Sequence, residues 1–174
     1  MITNINKKML SGKKGNAYLW LIIFIVIFTG LTAFIFDSAN LKLKEKKVKN
    51  AVNNSVKASS LAVLEGEELA RGNFLIDPVK GEENFITILA NNLNLDKDTL
   101  EPIRKNIIYE KPNIVEFEII NNTESDYYSP TLNRTIEIQN PTTVAILEFK
   151  VKGMFRKKTL KIYKLSSSQL KSNL

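Results

Sequence analysis

The stretch that decides the fold is "AYLWLIIFIVIFTGLTAFIF", residues 17–36, twenty residues without a charged side chain. As an α-helix it would rise about 30 Å, which matches the hydrocarbon core of a bilayer. The aromatic rings of Tyr18 and Trp20, near one end, favour the membrane interface. A secretory signal has a shorter apolar region, and "AFIFDSAN" at the end of this run is a poor cleavage site. The sequence therefore predicts a single transmembrane helix that the mature chain retains.

Basic side chains flank this run on both sides. The leader, residues 1–16, carries four lysines and no acid, and residues 42–49 carry five lysines and one acid. These lysines can meet anionic lipid headgroups. The number of lysines on each side does not decide which end of the helix faces the cytoplasm. A long C-terminal domain, however, is translocated largely regardless of its charge. We therefore expect a single-pass cell-membrane protein with residues 1–16 in the cytoplasm and residues 37–174 outside.

Composition narrows the function classes. The 174 residues include neither cysteine nor histidine, which excludes disulfides, thiol or histidine catalysis and most transition-metal sites. From Asn73 onward fourteen basic residues nearly balance thirteen acidic ones, and no groove-reading or base-stacking motif accompanies the charge. We therefore expect no enzyme, no cofactor, no metal and no nucleic-acid partner. A membrane-anchored hydrolase that uses carboxylates or lysines is the alternative from the enzyme class.

The segment after the apolar run predicts that the helix continues as a membrane-proximal stalk over residues 37–72. Neither proline nor glycine occurs between Ser38 and Gly66, and Gly72 is the better stop. Small side chains recur there at spacings of three and four, which places them on one helical face. They are Ala51, Ser55, Ala58 and Ala62. This stripe permits close approach to another surface, either the domain's own sheet or a second copy of the helix.

The patterns in residues 73–174 predict an α+β domain. Apolar residues at helical spacing predict a helix at 80–95, and a shorter one at 95–107 is expected with Asp98 as its cap. These helices are expected on one face of an antiparallel sheet of about four strands.

Alternation of apolar and polar residues predicts those strands. "NIVEFEII" (113–120) and "RTIEIQ" (134–139) alternate, and 143–165 is expected to form a hairpin that turns near 156–158. The polar residues 121–133 are expected to form a loop. Five side chains of the hairpin should point inward, namely Leu147, Phe149, Val151, Leu160 and Ile162. We expect Phe117 and Phe149 both to be buried in one core.

The last hairpin is strongly basic. Seven lysine or arginine side chains and no acid lie between Lys150 and Lys164. They can pair across strands with glutamates on a solvated sheet face. They can instead form a patch, with Lys157, Lys158 and Lys161 at its centre, that binds an anionic wall polymer, lipid or acidic neighbour. Both interpretations are open at this stage.

The start of the apolar run resembles a known family. A basic leader ends in Lys13-Lys14-Gly15, the apolar helix starts at Asn16, and Asp37 follows the run in "FDSANLKLK". With the small residues of "VKNAVNNSVKASSLAV", these features resemble the TadE/TadG-like minor pilins, which are pseudopilins of tight-adherence (type IVc, Flp) pilus systems. The resemblance covers residues 13–64.

The resemblance implies processing between Gly15 and Asn16 and partners among other pilus or secretion-system subunits at the cell surface. Trp20 stands where members of the family commonly carry a glutamate that guides processing, so a cleaved leader and an uncut anchor are both expected outcomes. For close helix packing in the membrane we single out Gly30 and Ala33, and self-association is open.

The function expected is therefore that of a pseudopilin-like or pilus-assembly protein. The alternative is a membrane-tethered module whose basic C-terminal hairpin binds an anionic envelope polymer.

Overall fold

The computed structural model describes residues 5–66, 75–122 and 126–167, with side chains between Asn16 and Leu165 within those ranges. The chain divides into an N-terminal unit, residues 1–40, and a C-terminal unit, residues 41–174. The helices and strands in chain order are α1 (Ile5–Ser60), α2 (Pro78–Leu93), β1 (Asn113–Ile120), β2 (Tyr127–Ser129), β3 (Arg134–Ile136), β4 (Thr142–Lys152) and β5 (Lys157–Ser167). The described chain is α+β, as predicted.

The N-terminal unit contains the first part of α1, whose apolar side chains are exposed. Trp20, Phe28 and Phe36 expose 68%, 60% and 71% of their surface. The hydroxyls of Thr29 and Thr32 donate to carbonyls four residues earlier, both at 2.8 Å. The helix therefore satisfies its own polar groups, as a hydrocarbon environment requires. Within the described residues it is the one helix long and apolar enough to span a membrane.

α1 ends at Ser60 rather than at Gly72, so the stalk helix is shorter than predicted. Just beyond its end, Val63 forms an antiparallel bridge with Ile76. Amide–carbonyl hydrogen bonds of 2.7–2.8 Å flank this bridge. They supply the backbone partners that further helical turns would otherwise have provided. Residues 67–74 lie outside the described ranges.

α2 begins directly after its cap, Asp77. The Asp77 carboxylate accepts the N–H groups of Val79 at 2.9 Å and Lys80 at 3.1 Å. Pro78 occupies the first helical position, where a missing N–H has no consequence. Asn94 ends the helix in the left-handed conformation, with φ of 56°. The predicted helix is confirmed, two residues earlier at each end.

The shorter helix predicted at 95–107 is not formed, since this part of the described range 75–122 contains only turns and isolated bridges. Asp96, rather than Asp98, accepts the local hydrogen bonds, and they stabilise a turn instead of a helix. Its carboxylate accepts the N–H and hydroxyl of Thr99 at 2.8 and 2.9 Å, and these bonds lower the pKa of Asp96. Leu100 follows with φ of 58°, a left-handed conformation from which a helix does not continue.

The main sheet has the order β1-β4-β5, with both pairs antiparallel. It contains three strands, not about four, because residues 134–139 contribute only the short β3 to a separate two-stranded sheet with β2. β2 lies within residues 121–133, which were predicted to form a loop. The β4–β5 turn lies at residues 153–156, earlier than predicted, and Gly153 N–H donates to the Arg156 carbonyl at 2.7 Å.

One face of the main sheet packs against α2 and the part of α1 within the C-terminal unit. The five hairpin side chains predicted to point inward are all buried. They join a cluster with Val52 and Val56 of α1 and Phe85 of α2. Phe117 packs on the same cluster, and its ring centroid lies 4.6 Å from that of Phe85. Phe117 and Phe149 therefore share one core, as predicted, but only Phe149 is buried; Phe117 is half-buried at the edge of the cluster.

Glu116 of β1 attaches the small β2–β3 sheet to the main sheet. Its carboxylate accepts the hydroxyls of Tyr127 at 2.8 Å and Ser129 at 3.0 Å, and the N–H of Thr131 at 3.3 Å. Burial alone would raise the pKa of Glu116, but the hydrogen bonds from these three residues outweigh it and lower the pKa. The β2–β3 sheet is therefore held by an ionised carboxylate.

Candidate functional site: a basic cleft

Three segments that are distant in sequence meet at one end of the C-terminal unit. They are the first turns of α1 in this unit, the loop 103–111 and the β4–β5 turn. The ammonium group of Lys44 on α1 donates to the carbonyl of Lys152 at 2.8 Å. Ile108 in the loop is buried and bridges Val151 of β4. These contacts fix the helix, loop and turn relative to one another.

An open cleft of about 380 Å³ lies between these segments, and we call it the basic cleft. Its lining residues are Lys44, Lys105, Tyr109, Lys152, Gly153 and Lys157. Four of the six are lysines and none is acidic. The Lys157 ammonium lies 5.7 Å from the centroid of the Tyr109 ring, within cation–π range. Among the described residues, no carboxylate pairs with Lys105 or Lys152.

The first turns of α1 in this unit border a second groove. Its volume is about 390 Å³, and it is lined by Lys42, Glu45, Lys46, Lys49 and Asn50. This groove therefore contains three more lysines of the same helical segment, with a single acid among them. Positive charge concentrated in this way raises the local concentration of anions.

The structure separates the three hairpin lysines that the sequence predicts as a polyanion patch. Lys157 lines the basic cleft, whereas the Lys158 ammonium lies 2.8 Å from the Glu45 carboxylate on α1. Lys161 lies opposite Glu148 in the β4–β5 register, as the cross-strand interpretation expects. One of the three therefore contributes to the cleft.

The Glu45–Lys158 pair makes a pH-dependent contribution to stability. Hydrogen bonds from Lys158 and Lys49 lower the pKa of Glu45 to about 2. Because the folded pKa lies below the unfolded one, the contribution is full above about pH 4.5 and is lost as the pH falls towards 2.

We expect Glu45→Gln to reduce the free energy of unfolding by about 1 kcal/mol or less at neutral pH, because Lys158 is half exposed to water. The loss should vanish near pH 2. Pulse proteolysis of the full chain in urea across this pH range measures it. Lys80 forms a comparable surface pair with Glu65, and Glu65→Gln is the matched control. A Glu45→Gln loss that persists unchanged at pH 2 would contradict this assignment.

Sequence reasoning missed Lys44, Lys105 and Lys152 as members of one site. No spacing rule joins residues of a helix, a loop and a strand end that lie this far apart in the chain. The lysine run 42–49 and the basic hairpin are each visible in the sequence, but their contact is tertiary. Lys105 carries no sequence signal at all.

The small-residue stripe lies against the C-terminal unit's own core. Ala51, Ser55 and Ala62 are buried and Ala58 is half-buried. Ser59, beside the stripe, contacts the Thr143 hydroxyl of β4 at 3.2 Å. Of the two alternatives, packing against the domain's own sheet therefore accounts for these small side chains within one copy of the chain.

The remaining predicted residues lie in the N-terminal unit. Gly15 and Asn16 both have helical backbone within α1, so a protease that binds extended chain would first have to unwind this turn. Gly30 is exposed, and a Cβ added there would meet no atom within 4 Å. Ala33 is half-buried. Processing at Gly15 and helix packing at Gly30 and Ala33 stay predictions.

Comparison with known proteins identifies no relative: no family model matches the chain, and no curated protein or solved structure is significantly similar to it.

Proposed function

We propose that this chain is a single-pass membrane protein of the pseudopilin-like or pilus-assembly kind, acting through helix packing and protein–protein contacts rather than catalysis. The observation that carries the proposal is the uncovered apolar surface of α1 between Tyr18 and Phe36. In water such a surface would drive aggregation. Lipid and neighbouring membrane helices are the surroundings that satisfy it.

Sequence features supply the rest of the proposal. The basic leader ending at Gly15 and the acid at Asp37 resemble the TadE/TadG-like minor pilins. On this proposal the leader lies in the cytoplasm and the C-terminal unit lies outside the cell. Its partners are membrane lipid and other pilus or secretion-system subunits.

Single-cysteine photo-cross-linking tests the packing role, and the absence of native cysteine makes the labelling specific. Gly30 and Ala33 lie on one face of α1, while Phe28 and Ile35 lie on the opposite face at 100° per residue. We expect a benzophenone attached in native membranes at Gly30→Cys or Ala33→Cys to form adducts with other membrane subunits or a second copy. Small residues permit close helix approach there.

Phe28→Cys and Ile35→Cys are the matched controls and should give mainly lipid adducts. Mass spectrometry identifies each adduct, and the intact mass of the unlabelled chain shows whether it begins at Asn16. Equal protein adducts from both faces, or none from either, would contradict a specific packing face.

A second function is favoured by the basic cleft: the tethered domain binds an anionic component of the envelope. The cleft replaces the predicted hairpin patch as the binding site, because Lys158 is already paired. Lys44, Lys105 and Lys152 join Lys157 in that role.

A further inference from the structure

We infer that the basic cleft and the β4–β5 turn form one membrane-surface site. In this site the lysines bind the phosphate groups of anionic phospholipids, and Met154 and Phe155 enter the interface between the headgroups. The inference rests on the proposed membrane anchoring. It does not depend on a role in pilus assembly.

The charge of the cleft fits phosphate. Lysine is a compact point charge that binds phosphate without demanding the planar geometry of an arginine fork. Four lysines line the cleft, and Lys105 and Lys152 have no acidic partner among the described residues. Because the cleft is open to the surface, it suits an anion that is presented on a surface.

The tip of the β4–β5 turn adds an apolar element to the same place. In "KGMFRKK" (152–158), Met154 and Phe155 expose 73% and 65% of their surface. Tight hairpin turns normally carry polar residues at such positions. Apolar side chains bordered by lysine and arginine are instead typical of segments that bind at a bilayer interface.

Chain length keeps this site close to the bilayer in any arrangement of the two units. Lys44 follows Phe36, the last residue of the apolar run, by eight residues. Even fully extended, eight residues span no more than about 29 Å. The headgroups are therefore always within the tether's reach, at a high effective concentration.

A soluble phosphate polymer shares the phosphate chemistry but fits less well. It would use the lysines yet leave Met154 and Phe155 in water. It would also gain nothing from the short tether to the apolar run. The membrane surface accounts for the charge, the apolar tip and the tether together.

The test uses the full chain in nanodiscs, with Met154→Cys labelled by an environment-sensitive fluorophore. Discs of phosphatidylcholine alone are compared with discs that also contain phosphatidylglycerol. In the anionic discs we expect a blue-shifted emission and a several-fold lower quenching by acrylamide, both reversed by high salt. Val79→Cys, at a side chain 78% exposed on α2, is the control and should not respond to lipid charge.

Charge variants then test the cleft itself. Each lysine near an anionic surface favours the bound state by about fivefold. Changing Lys105, Lys152 and Lys157 to Gln should therefore lower the ratio of membrane-docked to undocked C-terminal unit by about a hundredfold. In the control variant, three lysines outside the cleft are changed to Gln, which removes the same total charge. They are Lys57, Lys80 and Lys97. This variant should keep a ratio near that of the parent chain.

Three results would overturn the inference. The first is an equal response of the label at residue 154 in neutral and anionic discs. The second is an equal loss of the response to anionic lipid in the cleft variant and in the control variant. The third is protection of the label from acrylamide by inorganic polyphosphate in neutral discs, without protection by anionic lipid. That result would assign the cleft to a soluble anion. If the chain does not co-purify with nanodiscs at all, the membrane anchoring itself fails, which is a distinguishable outcome.

Discussion

Replacing Phe149 with alanine is expected to lower the free energy of unfolding of the C-terminal unit by about 3–5 kcal/mol, the range for truncating a packed aromatic side chain. Phe149 is fully buried on the central strand β4, within the cluster that joins both helices to the sheet. Alanine would leave a cavity there, because β4 is paired on both sides and cannot shift to fill it. A loss of this size is a large fraction of the stability of a typical domain.

Pulse proteolysis of the full chain in urea measures this loss. The same hairpin provides the matched control, since Phe155 is 65% exposed and its change to alanine should alter stability by less than about 0.5 kcal/mol. Phe117→Ala should fall between the two, because Phe117 is only half-buried. A Phe149→Ala loss below about 1 kcal/mol would contradict the core described here.

The second large effect is expected at Glu116. Changing it to alanine removes the acceptor of three hydrogen bonds that attach β2 and the following turn to β1. Since hydrogen bonds to a charged group contribute more than neutral ones, we expect the local stability of the β2–β3 sheet to fall by about 2–3 kcal/mol. Hydrogen exchange of residues 127–136 should then become about 30- to 150-fold faster.

Acid should have the same effect as the substitution. The pKa of Glu116 is lowered in the folded chain, so its contribution is present above the unfolded pKa and is lost as the pH falls below that value. Glu118 is an exposed glutamate on the same strand, and Glu118→Gln is the control. Equal acceleration in the Glu116 and Glu118 variants would show that the carboxylate does not hold the small sheet.

The elements that follow from local pattern were predictable from the sequence. The apolar run fixes the exposed helix, and the alternation in "NIVEFEII" predicts β1 with the bounds that the structure has. Alternation along β4 and β5 also identified five buried side chains of the hairpin, although Ala145, which joins the same cluster, was not among them. The β4–β5 register runs without a shift. In β1 a β-bulge between Ile114 and Glu116 interrupts the alternation, although the bounds of the strand were still predictable.

The errors occur where tertiary contacts decide the outcome. β2 lies in a polar segment that no periodicity marks as a strand, and it forms because Glu116 binds Tyr127 and Ser129. The early end of α1 depends on the bridge between Val63 and Ile76. The turns after α2 depend on Asp96, whose side-chain bonds compete with the helix that a later cap at Asp98 would have started.

The cleft was less predictable than the fold, for the same reason. A sequence shows that lysines are abundant near the apolar run and in the last hairpin. It does not show that Lys44 reaches the backbone of Lys152, or that Glu45 neutralises Lys158. Which lysines are available to a ligand depends on those contacts.

β5 is an edge of the main sheet in the described part of the chain. An eleven-residue strand with an open side is a template on which another chain could add its own strand. Lysines recur along β5, at Lys157, Lys158, Lys161 and Lys164. Two copies brought edge to edge would set these ammonium groups against one another, and like charges on facing strands repel. Growth of a continuous sheet from chain to chain is thereby disfavoured, so the lysines of β5 protect this domain from fibrous aggregation.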